Sequence, residues 1–171
     1  MSKRKKRSSV SDPLQKPKQI LLDESFLLCA SGKGCDSTKC QDEADRRKYR
    51  ALAALLMAQE SEVLLVIDDQ LPSQVVSFYQ RKYQYLSVEV REILLEWLNK
   101  RTLKRKHAKI NSKAIKDCNL KIGTLDPLLC QLAIACRGTP IWTLDSDFWC
   151  AIQFYPDIKP TCPKEALDSV T

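Results

Sequence analysis

Asp126-Pro127-Leu128-Leu129-Cys130-Gln131-Leu132-Ala133-Ile134-Ala135-Cys136-Arg137-Gly138-Thr139-Pro140-Ile141-Trp142-Thr143-Leu144-Asp145-Ser146-Asp147 reads as one helix followed by one strand. An aspartate cap with proline at the first helical position is a helix start. Leu128, Leu129, Leu132, Ala133 and Cys136 follow the 3–4 spacing of a buried helix face, and Gly138 supplies the stop. Pro140 to Leu144 then predicts a strand that ends in two acids, Asp145 and Asp147.

The same order recurs toward the N-terminus. Ile20-Leu21-Leu22 predicts a buried strand ending at Asp23, and Glu62 to Ile67 predicts another ending at Asp68-Asp69. Helices are predicted over 41–59, from Pro72 to about Gln84, and from a Ser87 cap to Lys100-Arg101. The last of these has Val90, Ile93, Leu94 and Trp97 on its apolar side. Residues 29–40 read as a loop, and a helical turn is expected after Pro163. Strands alternating with helices argue for an α/β fold, a three-layer α/β/α sandwich with a mostly parallel central sheet. In such a sheet the strand ends share one edge, where ligands bind. Asp23, Asp68-Asp69 and Asp145 lie at that edge directly, with Asp147 just beyond. Asp126 joins them if its helix runs antiparallel to the strand that follows.

Carboxylates gathered this way repel one another, by about 1 kcal/mol at ~4 Å in water and several-fold more in a less polar site. A hard divalent cation, Mg²⁺ or Mn²⁺, relieves that repulsion and prefers oxygen ligands. Each acid also has a plainer use. Asp126 suits a helix cap, Asp145 and Asp147 suit a turn, and Asp68 and Asp69 suit a strand end. Their convergence is what points to a metal.

The chain has 171 residues, 44% of them hydrophobic and 29% charged, enough for one core. The divisions expected are a disordered basic tail over 1–18, a domain over 19–168 and a short tail over 169–171. Lys3, Arg4, Lys5, Lys6, Arg7, Lys16 and Lys18 stand against Asp12, so most of the net charge of +7 belongs to the tail. Nucleic-acid contact must then use the tail or a local patch. Lys100, Arg101, Lys104, Arg105 and Lys106 form such a patch, or equally a solvated helix end. No secretory signal or membrane-length apolar run is visible, and a cytoplasmic setting is expected. Its eight cysteines are accordingly read as reduced thiols. Cys29, Cys35 and Cys40 fit no common zinc spacing, and His107 is the single histidine.

Four stretches, in order over roughly 19–168, resemble PIN-domain nucleases. Ile20-Leu21-Leu22-Asp23-Glu24-Ser25 resembles the family's first strand. Asp126 to Ala133 resembles its aspartate-led helix. Thr143-Leu144-Asp145-Ser146-Asp147-Phe148 is similar to its Thr-x-Asp-x-Asp-Phe stretch. Pro160 to Leu167 resembles its closing strand and proline-led helical turn. The resemblance implies a metal-dependent endoribonuclease, of the toxin type or in RNA processing. Asp23, Asp126, Asp145 and Asp147 would then be catalytic and metal-binding, supported by Ser25 and Thr143. It implies single-stranded RNA as substrate and Mg²⁺ or Mn²⁺ as cofactor. An antitoxin or other protein partner, or a homodimer, stays open. One departure is plain: the family's further acid after the second strand has no counterpart in Pro72 to Tyr79. A catalytically degenerate domain that binds RNA or protein is therefore the alternative. A receiver-like phosphate-handling domain, built on Asp68-Asp69, and a DNA nuclease are further rivals.

Overall fold

In the computed structural model, which describes residues 18–171, five short segments form one sheet. They are β1 (Gln19–Leu22), β2 (Leu64–Asp68), β3 (Thr102–Arg105), β4 (Pro140–Trp142) and β5 (Lys159–Thr161). All neighbours pair in parallel, in the order β3-β2-β1-β4-β5. Ile20, Leu21 and Leu22 are all fully buried, as a central strand covered on both faces requires. The edge strands carry Lys104, Arg105 and Lys159, charges that discourage further pairing. The tail predicted over 1–18 lies, but for Lys18, outside the described residues.

Among the described residues eight α-helices accompany the sheet: α1 (Glu24–Ala30), α2 (Ala44–Glu60), α3 (Gln74–Lys82), α4 (Val88–Lys100), α5 (Ser112–Asp117), α6 (Asp126–Ala135), α7 (Asp147–Ala151) and α8 (Pro163–Val170). Right-handed crossovers from β1 through β2 to β3 place α2 and α4 on one face. The return past β1 to β4 and β5 places α6 and α7 on the other. Packing agrees: α2 lies against α1, α4 and α8, whereas α6 lies against β1, β2, β4 and α7. This is the α/β/α sandwich expected. Buried polar groups lock the layers to the strands. Trp97 Nε1 donates to the Val63 carbonyl at 3.0 Å, and the Tyr79 hydroxyl donates to the Leu22 carbonyl at 2.5 Å.

Several local expectations change. The helix expected from Gln41 begins at Ala44, and the one expected from Pro72 begins at Gln74, capped by Ser73. Asp126 is the first residue of α6 instead of its cap, a place taken by Leu125. The elements α1, β3, α5 and α7 arise where no element is expected. Helix α8 runs on to Val170, whose side chain is buried.

The expectation of reduced thiols throughout is corrected. Cys40 and Cys162 form a disulfide, and the other six cysteines are free. The two are 122 positions apart and meet because the loop after α1 folds back onto the start of α8. No local pattern displays that pairing, and it removes Cys40 from any thiolate zinc site. Among the described residues, no helix is long and apolar enough to cross a membrane.

Candidate metal centre

The order of the strands reverses at β1, since β2 lies on one side of it and β4 on the other. A crevice opens beyond the carboxyl ends of two strands at such a reversal. Asp23 follows β1 directly, and Thr143-Leu144-Asp145 follows β4. Asp23 also caps α1, accepting from the amides of Glu24 at 2.7 Å and Ser25 at 3.3 Å. Its other contacts stitch the two strand ends together. The Thr143 hydroxyl donates to Asp23 at 2.7 Å and accepts from the Asp145 amide at 3.0 Å. The Ser25 hydroxyl donates to the same Asp23 oxygen and accepts from the Leu144 amide at 2.9 Å. Each hydroxyl thus fixes Asp23 against the backbone that carries Asp145.

Three other carboxylates meet above this network. Oxygens of Asp126, Asp145 and Asp147 all lie within 4.8 Å of one another. Asp126 arrives at the start of α6, Asp147 at the start of α7, and Asp145 from the strand end between them. The Asp147 amide donates to Asp145 at 3.0 Å, which sets the turn. Asp23 is outside that trio yet lines the same cavity of about 220 Å³, together with Glu24, Ser25, Lys121, Thr124, Asp126 and Asp145.

The electrostatics match the geometry. Burial, then the charges of Asp23 and Asp145, push the Asp126 carboxyl up to about 7. Burial also raises Asp23 to about 6, helped by Asp145 and opposed by the Ser25 and Thr143 hydroxyls. Burial and Asp145 raise Asp147, while Lys121 pulls it back. Repelling, partly desolvated oxygen donors suit a small hard cation. The set holds no thiolate or imidazole that would favour a softer metal.

All four predicted acids and both supporting hydroxyls therefore lie at one sheet edge. The residues of the basic patch are divided between the two ends of β3. Lys100 faces Glu96 at 3.7 Å, and Arg101 is bound to the Gln59 carbonyl and lies 4.0 Å from Glu62. These two precede β3, at the edge of the sheet opposite the acids. Lys104 and Arg105 belong to the exposed edge strand, with Lys106 beyond its end.

Asp68 is not at the centre. It is fully buried and accepts from the Ser73 hydroxyl at 2.6 Å and the amides of Gln74 at 3.0 Å and Val75 at 2.9 Å. Burial pushes its carboxyl up, but these donors outweigh it and hold the carboxyl below its usual range. Its oxygens are thus taken up by three donors at the start of α3.

Sequence reasoning misses Glu24, Lys121 and Thr124. Glu24 is read as surface because β1 is imagined to continue. In the structure the chain turns into α1 at Asp23, so Glu24 lines the cavity and pairs with Lys82 at 2.8 Å. The Asp-x-Ser cap signal at residues 23–25 is what could have shown it. Thr124 accepts from the Asp126 amide at 3.4 Å, a hydroxyl two residues before the acid it positions. No signal singles out Lys121. No protein-family model, curated protein or solved structure matches the chain.

Proposed function

We propose that the chain is a Mg²⁺- or Mn²⁺-dependent endoribonuclease of the PIN-like kind. The observation that carries this reading is the meeting of Asp126, Asp145 and Asp147 within 4.8 Å at the reversal point of a parallel sheet. Asp126, Asp145 and Asp147 would hold the cation, with Asp23 beneath them. A cation held there would supply Lewis-acid activation of a hydrolytic water and positive charge beside the phosphoryl group. The protein's own part is positional. Ser25 and Thr143 fix Asp23 and the 144–145 backbone, so that Asp145 is presented without rearrangement. Lys121 offers a positive charge at the rim, where a phosphate of single-stranded RNA would lie.

One observation favours the second reading, a domain that binds RNA or a protein partner without turnover. Helix α3 carries no acid, so it adds nothing to the cluster. Cleavage of a mixed-sequence fluorogenic RNA at low salt separates the two. The nuclease reading expects cleavage with Mn²⁺ that EDTA abolishes and Asp145→Asn removes. Mn²⁺ binding by calorimetry without any cleavage supports the silent domain. Cleavage indifferent to both EDTA and the substitution overturns the site.

A further inference from the structure

The stretch from Gln74 to Ser87 holds Phe78, Tyr79, Tyr83 and Tyr85 beside Arg81 and Lys82, and no carboxylate. It comprises α3 and the 3-10 turn Tyr83–Tyr85 that follows. Tyr79 is buried and donates to the Leu22 carbonyl, which lays α3 across the end of β1. The other three rings each lie beneath a cation. Arg81 is 4.7 Å from the Phe78 centroid, Arg91 is 5.6 Å from that of Tyr83, and Lys33 is 5.9 Å from that of Tyr85. Tyr85 is nonetheless 49% exposed, and Arg81 and Lys33 are exposed as well. An open ring among cations offers a stacking face for a base and partners for the phosphates on either side of it.

Two contacts join this surface to the candidate metal centre. Lys82 pairs with Glu24 at 2.8 Å, and Glu24 lines the cavity that holds Asp23, Asp126 and Asp145. The Lys33 amide donates to the carbonyl of Leu28 at 2.8 Å, and Leu28 lines the same cavity. The Lys33 ammonium in turn donates to the Tyr85 carbonyl at 2.8 Å. Helix α1 sets the interval, since its seven residues rise about 10 Å from the Asp23 cap toward Lys33. Cations and rings thus run from the rim of the acid cavity to a half-exposed tyrosine one short helix away.

We propose that Lys82, Arg81, Lys33 and Tyr85 form a track for the single-stranded RNA flanking the scissile phosphate, with one base stacked on Tyr85. Charge complementarity and continuity with the cavity select this ligand. Tyr85 needs a base whose face is free, which a single strand offers and a duplex does not. Arg81 and Lys33 meet phosphates whatever the strand state, so their share of the binding falls as salt rises. The track rests on the RNA ligand of the reading above and not on its metal.

The test measures fluorescence anisotropy of a short labelled RNA of mixed sequence, single-stranded or annealed to its complement, with the full chain in EDTA at low salt. Tyr85→Ala should weaken single-strand binding about fivefold or more and move duplex binding by less than about twofold. Tyr85→Phe, which keeps the ring, should bind the single strand as the parent chain does. Lys33→Gln combined with Arg81→Gln should weaken both ligands and flatten the salt dependence. Lys104→Gln combined with Arg105→Gln, on the edge strand β3, should change single-strand binding less than that pair. Equal single-strand affinities for the parent and Tyr85→Ala overturn the track. So do equal losses on single strand and duplex, a Tyr85→Phe loss as large as that of Tyr85→Ala, or a larger loss from the β3 pair. A parent chain that binds no RNA overturns it as well and leaves the surface to a protein ligand. Binding that depends on Tyr85 without any Mn²⁺-dependent cleavage sustains the track while the nuclease reading fails. Cleavage with binding indifferent to Tyr85 does the reverse.

Discussion

Asp126 shows how a single residue serves the site at the expense of the fold. Its carboxyl is held at about 7 and that of Asp23 at about 6, each from an ordinary 3.8. Where the folded pKa is the higher, the folded chain binds protons that the unfolded chain has released. The stability tied to these protons is complete below about pH 4 and is lost as pH rises through 6 and 7. Each tenfold gain in proton affinity is worth about 1.4 kcal/mol, so the loss is on the order of a few kcal/mol. In EDTA, the urea midpoint should therefore be lower at about pH 8 than at about pH 5. With Mn²⁺ present the difference should shrink, since the cation replaces the protons. A midpoint that rises with pH in EDTA would mean that the carboxylates do not repel. Asp126→Asn removes one of the opposed charges while keeping the side chain's shape. At about pH 8 the metal-free variant should gain about 1–3 kcal/mol in urea unfolding, and calorimetry should find Mn²⁺ binding lost. A loss of stability would return Asp126 to the structural role its place before Pro127 first suggests.

Among the elements, Asp68 illustrates the opposite use of an acid. It ties the end of β2 to the start of α3 through three donors. Asp68→Ala leaves those donors without a partner inside the core and should cost about 3 kcal/mol or more in urea unfolding. The affinity for Mn²⁺ should not change, since Asp68 is outside the cluster. A variant with intact stability and lost metal binding would reverse the two assignments. Asp68 and Asp145 both end apolar strands, so sequence alone hardly tells them apart. What separates them is the helix that follows each: two of its amides and the Ser73 hydroxyl take up Asp68, whereas Asp145 accepts one amide, from Asp147. The same reasoning explains which elements are legible. The strands β1, β2 and β4 show as apolar runs because they are buried on both faces, and α4 and α6 show by apolar spacing and start signals. The strand β3 does not, because an exposed edge keeps lysine and arginine where a central strand has leucine. Helix α1 is missed because it follows β1 without a loop. The acid cluster is legible because topology alone brings strand ends together. Its finer division, with Asp23 bound by hydroxyls and the other three facing one another, depends on side-chain contacts that no spacing encodes.

Across the whole molecule, the contact least visible in sequence is the Cys40–Cys162 bond. It closes 122 positions of chain and ties the loop after α1 to the start of α8, near the end of the polypeptide. The loop has other anchors. Arg47 donates to the carbonyls of Cys35 at 2.7 Å and Cys40 at 2.9 Å, and the Ser37 hydroxyl donates to the Leu144 carbonyl at 3.0 Å. Leu144 adjoins Asp145, so the loop also forms a wall beside the acid cluster. On the chain-entropy account, a loop of roughly 100 residues closed by a disulfide stabilises a fold by up to about 4.7 kcal/mol, though measured losses on removal span about 2–5 kcal/mol. For a domain of this size, 1 kcal/mol corresponds to about 2–4 °C of melting temperature. Cys40→Ala combined with Cys162→Ala should therefore lower the melting temperature by about 5–15 °C. A thiol reductant should lower that of the parent chain by a similar amount and leave the double variant unmoved. Because Arg47 and Ser37 still hold the loop, calorimetric Mn²⁺ affinity at low temperature should be unchanged in the double variant. Loss of binding in a folded double variant would instead mean that the disulfide itself holds the wall in place beside Asp145.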